Sequence, residues 1–403
     1  MLPEARRSFD AARRAALVGV LLASLVLPGC YLMQVSAGQL ELISAREPIA
    51  EVIARPDTPA AVRERLDYVS RARRFAVDAL ALPDNGSYTG YVTLDRQFVA
   101  WNVFAAPEFS VEPKSWCFPI AGCVAYRGYF QEAKARDYSG GLQREGYDVH
   151  VAPVAAYSTL GHFDDPVLST MLAYGDVELA ALIFHELAHQ VVYVGGDSAF
   201  NEAFATTVEL EGVRRWLASQ GRPEELATFR QARARAESVV SLMAATRRHL
   251  AKLYASEMPA DRMREAKAQE FTRLRAGYAA LRAGWPEGVN LDWMLGAELN
   301  NARLVAVSTY EECVPGFTRL LADAGGDLPK FYGAVKAISR RPAAERAALL
   351  CQPSSAPGAT PEQGVAAAAA FQPEVAGDDG THRVGLDPQA DEAADRADAV
   401  HAE

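Results

Sequence analysis

Apolar residues recur at helical spacing over most of the chain and at strand spacing only in its first half. Residues 58 to 80 read as a helix with an arginine-rich polar face, followed by a turn at Pro83-Asp84-Asn85-Gly86. Tyr88 to Phe104 alternates and is rich in Tyr, Val, Thr and Phe, which predicts strands. Residues 128 to 144 read as helical, and Tyr147 to Ala156 as another strand. Leu179, Leu182, Ile183, Val191 and Val192 then form one apolar helical face that stops at Gly195-Gly196, and Asp197 or Ser198 is placed to cap a second helix. Two long helical stretches follow, about Pro223 to Ser256 and Pro259 to Ala283, with apolar positions that include Leu226, Phe229, Val239, Val240 and Met243. They predict a helical hairpin over residues 222–285, charge-rich and read as scaffold without chemistry. Shorter helices and turns run to Cys351, and no internal repeat is visible. The expected class is α+β and mostly helical: a small N-terminal β-sheet, a helix pair, then the long hairpin.

The helix pair carries the chemistry. His185-Glu186-Leu187-Ala188-His189 is an H-E-x-x-H motif, led in by the apolar run Ala181-Leu182-Ile183-Phe184. Positions i and i+4 share a helix face, so His185 and His189 can point two imidazoles at one ion. Glu186 between them can reach a water at that ion rather than the ion itself. Two neutral nitrogen ligands, one base and an open coordination position are what a zinc hydrolase requires. Two histidines hold zinc weakly, so a third ligand is expected. Glu202 falls about one turn into the capped second helix, and a tight turn would return its carboxylate over the histidines. Glu209, seven residues on and near the same face, competes for that place, or else orients a ligand histidine from outside.

H-E-x-x-H followed by Asn201-Glu202-Ala203-Phe204-Ala205 resembles the gluzincin metallopeptidases, in which the Glu of the Asn-Glu pair is the third zinc ligand; this maps to Glu202. More closely, the chain resembles a bacterial lipoprotein family described as predicted aminopeptidases. Ser115 to Cys123, Tyr126-Arg127-Gly128-Tyr129-Phe130, Thr159-Leu160-Gly161, Asp164-Asp165-Pro166, Asn300-Asn301 and Tyr310 fit it, over most of residues 30 to 350. The resemblance implies a zincin-like fold, a Zn²⁺ cofactor, a peptide substrate, and a sheet edge that pairs with the substrate backbone.

Composition and termini add an address. Arg6, Arg7, Arg13 and Arg14 precede an apolar run from Ala15 to Leu27, too short to span a membrane comfortably and suited to a signal peptide over residues 1–29. It ends in Leu27-Pro28-Gly29-Cys30, which resembles a bacterial lipobox and implies cleavage before Cys30 and lipid on that cysteine. Tyr31, in place of Asp, would favour transfer to the outer membrane, with the body facing the periplasm. Four cysteines then remain, an even count that suggests two disulfides in an oxidising compartment. Three pairings are possible; Cys117 and Cys123 are near enough to close a short loop, leaving Cys313 with Cys351. The net charge is −10, but residues 352 to 403 hold ten acidic side chains and two arginines, so most of the charge belongs to that segment. It reads as a disordered acidic tail, leaving residues 30–351 as a near-neutral metallopeptidase domain with no footprint for a nucleic-acid partner.

The expected reaction is peptide-bond hydrolysis with Glu186 as the base. A transition-state donor is also needed. Tyr126, Arg127 and His162 are candidates, together with Tyr129, Tyr193 and Tyr310. An aminopeptidase must also bind a free amine. The Gly-x-Met-Glu-Asn motif that does so in related zinc aminopeptidases is missing upstream of the metal helix, which leaves Asp164, Asp165, Asp176 and Glu178. Two alternatives remain open: a zinc endopeptidase of the cell envelope, and a non-catalytic envelope lipoprotein that keeps the zincin scaffold.

Overall fold

The computed structural model describes residues 31, 33–118, 122–156, 158–296, 298–307 and 313–351. The expected signal peptide, Cys30, Tyr310 and the acidic segment 352–403 lie outside the described residues. In chain order the elements are α1 (33–44), β1 (Glu47–Pro48), α2 (Ile49–Ala54), α3 (Ala60–Leu80), β2 (Gly90–Val92), β3 (Ala100–Pro107), β4 (Trp116–Phe118), β5 (Gly122–Val124), β6 (Tyr126–Tyr129), α4 (Glu132–Arg144), β7 (Tyr147–Val154) and β8 (Val167–Leu168). Then come α5 (Asp176–His189), α6 (Ser198–Ser219), α7 (Glu225–Tyr254), α8 (Ala260–Arg282), α9 (Asp292–Leu295), α10 (Asn301–Val307), α11 (Val314–Asp323), α12 (Leu328–Ser339) and α13 (Ala343–Leu350). The class is α+β and mostly helical, as expected. No described helix is long and apolar enough to cross a membrane.

The β-structure departs from the single small sheet expected. Two three-stranded sheets form, ordered β1-β2-β8 and β6-β3-β7, beside a β4-β5 hairpin. The alternating run Tyr88 to Phe104 is split by the polar stretch at Asp95-Arg96, so its halves join different sheets. Gly128 and Tyr129, expected to open the helix over residues 128 to 144, belong to β6 instead. Tyr126-Arg127-Gly128-Tyr129 is β-prone and pairs antiparallel with β3, and the helix starts only at Glu132. The edge expected to receive a substrate strand is short: β8 has two residues, both buried. The other edge candidate, β7, gives its Val149 carbonyl to the Asn300 side chain.

The core that holds α5 and α6 is built from small residues at contacts. Ala180, Ala181 and Ala188 on α5 and Ala203 and Ala205 on α6 are buried with Phe184, Leu187, Phe204 and Val208. α3 lays Leu66, Val69, Ala72, Ala76 and Leu80, spaced three and four apart, into the same core. Gly212 marks the closest approach, since a Cβ there would press on Phe184 and Leu80. The hairpin α7–α8 has its own cluster around Val239, Met243, Leu250 and Leu274, and the β3-β6-β7 sheet packs on α4 through Trp101, Val103 and Leu142.

Among the described residues there are two disulfides, Cys117–Cys123 across the β4-β5 hairpin and Cys313–Cys351 at the ends of α11 and α13. The second draws α13 against α11 so closely that a Cβ at Gly316 would collide with the Leu350 backbone. α13 in turn reaches the active helices, because Arg346 pairs with Asp197, the N-cap of α6. Replacing Cys313 and Cys351 together by Ser is expected to cost about 3–4 kcal/mol for a loop of this length, seen as a lower Tm in thermal unfolding under oxidising conditions.

Candidate metal centre

α5 ends at His189, so Val191 and Val192, expected on its face, lie in the turn that follows. That turn is pinned by one side chain. Asn201, 1% exposed, accepts from the Val194 N–H and donates to the Val194 carbonyl, both at 2.8 Å. The Asp197 side chain accepts from the Phe200 N–H at 3.2 Å and so caps α6. Together the two fix how α6 folds back on α5, and Glu202 comes over the histidines as the sequence led us to expect.

The donors converge. Nε2 of His185 lies 3.1 Å from Nε2 of His189 and 3.2 Å from a Glu202 oxygen, and the other Glu202 oxygen is 3.7 Å from His189 Nε2. Ligand atoms of the three residues all lie within 4.8 Å of one another. Two bare imidazole nitrogens facing each other repel unless a proton or a cation sits between them. Two nitrogens and a carboxylate oxygen are a donor set that suits zinc, so the residues present fit the metal that the motif implies.

Glu209 takes the outer role. Its Oε2 lies 3.1 Å from Nδ1 of His185; in the tautomer where Nδ1–H donates, Nε2 keeps a free lone pair. Glu209 is fully buried, and its other oxygen is 3.1 Å from the buried guanidinium of Arg233 on α7, an ion pair. The hairpin that looked like scaffold therefore supplies the counter-charge for the metal centre. His189 has no comparable support: its Nδ1 is buried with no hydrogen-bond partner among the described residues.

Charge in the metal-free site follows from these contacts. Burial by itself would lower the His185 pKa, but the bonds to Glu202 and Glu209 override it and raise it to about 10. Burial, then the neighbouring His185 charge, lowers His189 to about 4. Glu202 is held below its ordinary value: burial opposes this, and the His185 hydrogen bond outweighs it. Glu186 stands beside the three-residue cluster rather than in it. Burial pushes its pKa up to about 7, while His185 opposes the shift and a hydrogen bond from Ser158 steadies the carboxylate. The Ser158 hydroxyl also lies 3.2 Å from an Asp165 oxygen, so its single proton serves one carboxylate or the other.

The other sequence candidates separate clearly. Arg127 lies over the rings of Tyr31, Tyr129 and Tyr138, and Tyr126 packs on Phe104; all belong to the β3-β6-β7 layer, whose core is distinct from that of α5 and α6. Alternation along β6 and its pairing with β3 put them there. His162 is exposed on the turn after Thr159 and makes no described contact with the cluster. Tyr193 does reach it: its ring stands edge-on to His189 at 6.2 Å, and burial, then the Glu202 charge, raises its pKa. Three residues that the sequence did not single out contribute here, Ser158, Tyr174 and Arg233, beside Phe229 from the apolar stripe of α7. Tyr174 has its pKa raised by burial and then by the charge of Glu186. Tyr174, Leu182, Glu209, Phe229 and Arg233 line an open cleft between α5 and α7. The apolar stripe of α7 placed Phe229, but nothing in the sequence aimed Arg233 inward.

The family assignment agrees with this placement. The family described as Putative aminopeptidase matches residues 30–350. The chain belongs to that family. Its matched span contains the whole helix pair, the hairpin and three of the four disulfide cysteines, ending one residue before Cys351. No curated protein and no solved structure matches the chain.

Two outcomes are expected. Glu202→Ala should abolish metal binding, whereas Glu209→Ala should weaken it by roughly 10–100-fold, with both read by competition against a chelator of known affinity. In the metal-free protein His185 keeps its proton up to about pH 10, and a metal must displace it. Affinity should therefore rise with pH across the neutral range, with proton release on metal addition in weakly buffered solution.

Proposed function

We propose that the protein is a zinc-dependent aminopeptidase of the bacterial cell envelope, anchored through lipid on Cys30. The observation that carries the metal reading is the convergence of His185, His189 and Glu202 with Glu186 alongside. Family membership supports a peptidase and a peptide substrate. The anchor and the periplasm-facing, outer-membrane address rest on the sequence ending in Leu27-Pro28-Gly29-Cys30 and on Tyr31.

Zinc at the three donors would supply a Lewis acid that polarises the scissile carbonyl and acidifies water. The rest is done by the chain. Glu186, with its pKa near neutrality, accepts the proton of the attacking water and returns it to the leaving amine. The Ser158 hydroxyl favours the ionised form of that carboxylate. Glu209 and Arg233 hold the His185 ring and its tautomer. Tyr193, beside His189 and half exposed, is the phenol placed to donate to the developing oxyanion. In this reading it replaces Tyr126, Arg127 and His162.

Glu186→Gln is expected to lower kcat/KM by about a thousandfold or more and to leave one metal per chain, as measured by elemental analysis. Tyr193→Phe should lower kcat by roughly 10–100-fold with KM and metal content little changed. Blocking the peptide amine by acetylation should abolish turnover. Cleavage of acetylated peptides at internal bonds would move the assignment to an endopeptidase, and metal without hydrolysis of any peptide would move it to a binding protein.

A further inference from the structure

The fold leaves one apolar helix face uncovered, and it lies beside the expected anchor. The inner side of α1 is fastened to β6. Gln34 donates to the Gly128 carbonyl at 3.1 Å and accepts from the Phe130 N–H at 3.3 Å. A Cβ at Gly38 would collide with the Phe130 ring, and Leu42 is buried in the core. Positions 34, 38 and 42 share one side of a helix, so positions 33, 36, 37, 40, 43 and 44 face away. They are Met33, Ser36, Ala37, Leu40, Ile43 and Ser44, all exposed. The only charged residue of α1, Glu41, turns aside to pair with Arg96. Of the eight large apolar side chains exposed among the described residues, three are on this face: Met33, Leu40 and Ile43. Single exposed apolar residues are ordinary, but three on one uncharged face of a pinned helix mark an interaction surface.

The start of the helix says what covers it. α1 begins three residues after Cys30, roughly 10 Å of extended chain. Lipid on Cys30 therefore brings the first turn of α1 to the bilayer surface. A tether that short raises the effective concentration of the face against the bilayer, so a modest apolar area suffices to hold it there. A second feature at the same end suits phospholipid. Arg127 on β6 lies over Tyr31, the residue after Cys30, at 4.1 Å, and over Tyr129 and Tyr138. It pairs with no carboxylate among the described residues, and its Nε is buried without a hydrogen-bond partner. A guanidinium held by tyrosines next to the anchor matches the phosphates of the headgroup layer. A two-fold contact with a second copy of the same uncharged face would supply no anion for it.

Resting on the lipid-anchor reading of Cys30, we propose that the outer face of α1 lies in the surface of a phospholipid bilayer, with Met33, Leu40 and Ile43 among the upper acyl chains and Arg127 at the headgroup phosphates. The body is thereby held in one orientation on the membrane instead of swinging on its tether.

The test uses the full chain, matured in a Gram-negative host and reconstituted into vesicles of phosphatidylethanolamine and phosphatidylglycerol. Mass spectrometry of the N-terminal peptide reads lipid on Cys30. A fluorescent probe is placed on the face by Leu40→Trp and, as a control, at an exposed leucine elsewhere by Leu349→Trp. Emission relative to the parent protein is followed with lipids brominated in the upper acyl chain and with aqueous iodide. The Leu40→Trp probe should be quenched by the brominated lipid and shielded from iodide, and the Leu349→Trp probe should show the opposite. Adding Met33→Glu and Ile43→Glu should abolish both effects at position 40 while lipid on Cys30 and the circular dichroism spectrum stay unchanged. An arginine at an anionic surface contributes a factor of about five, so Arg127→Gln should lower the docked-to-undocked ratio by about that much. Lipidated protein whose Leu40→Trp probe stays open to iodide overturns the proposal and leaves the anchor standing. Shielding from iodide without quenching by brominated lipid also overturns it, and gives the face to a second copy or to another segment of the chain. Absence of lipid on Cys30 sinks the anchor reading, and brominated-lipid quenching in that same protein would leave the α1 contact standing on its own.

Discussion

The contact on which the site depends is the one between His185 and Glu209. Two imidazoles and several carboxylates are packed among apolar helices, where each charge is costly unless paired. Glu209 fixes the ring of His185 from behind, so that its Nε2 faces His189 and Glu202. Glu209 is itself fully buried and needs Arg233 from a distant stretch of the chain. The metal helix, its partner helix and the hairpin are therefore joined through one line of charge, His185 to Glu209 to Arg233.

The surrounding fold holds that line in register. Asn201 clamps the turn between α5 and α6, and Asp197 caps α6 while also receiving Arg346 from α13. The Cys313–Cys351 bridge binds α13 to α11, and α11 packs Phe317 on Phe200 and Phe204 of α6. The hairpin is tied down in the same manner: Asn301 is fully buried, bonds the Pro107 and Glu108 carbonyls, and accepts from Tyr254. Polar residues in the family resemblance, Asn201 and Asn301 among them, thus act here as fasteners between segments.

Electrostatics divides the cleft into two ends. Near the histidines, negative charge from Glu202 and Glu209 is met by His185 and Arg233. At the N-terminal end of α5, Glu178 lies in the first turn, where the partial positive charge of the helix end offsets it.

The sequence by itself determined whatever depends on local spacing. The i, i+4 histidines, the intervening glutamate, the Gly195-Gly196 stop and the Asp197 cap all act within a few turns of helix. They place His185, Glu186, His189 and Glu202. The long hairpin was legible for the same reason, since its apolar stripes repeat over many turns. Tertiary structure alone decided the rest. Which of Glu202 and Glu209 faces the cluster depends on the angle at which α6 returns. Arg233 became part of the site because α7 crosses α5 and α6, and no spacing encodes that. Tyr126 and Arg127, adjacent to β-prone residues, were drawn into a sheet, and the alternating run after Tyr88 was shared between two sheets because strand pairing is non-local. Local pattern fixed the helices and the motif they carry, whereas long-range packing chose the partners, because a buried charge takes its counter-ion from whatever segment the core brings beside it.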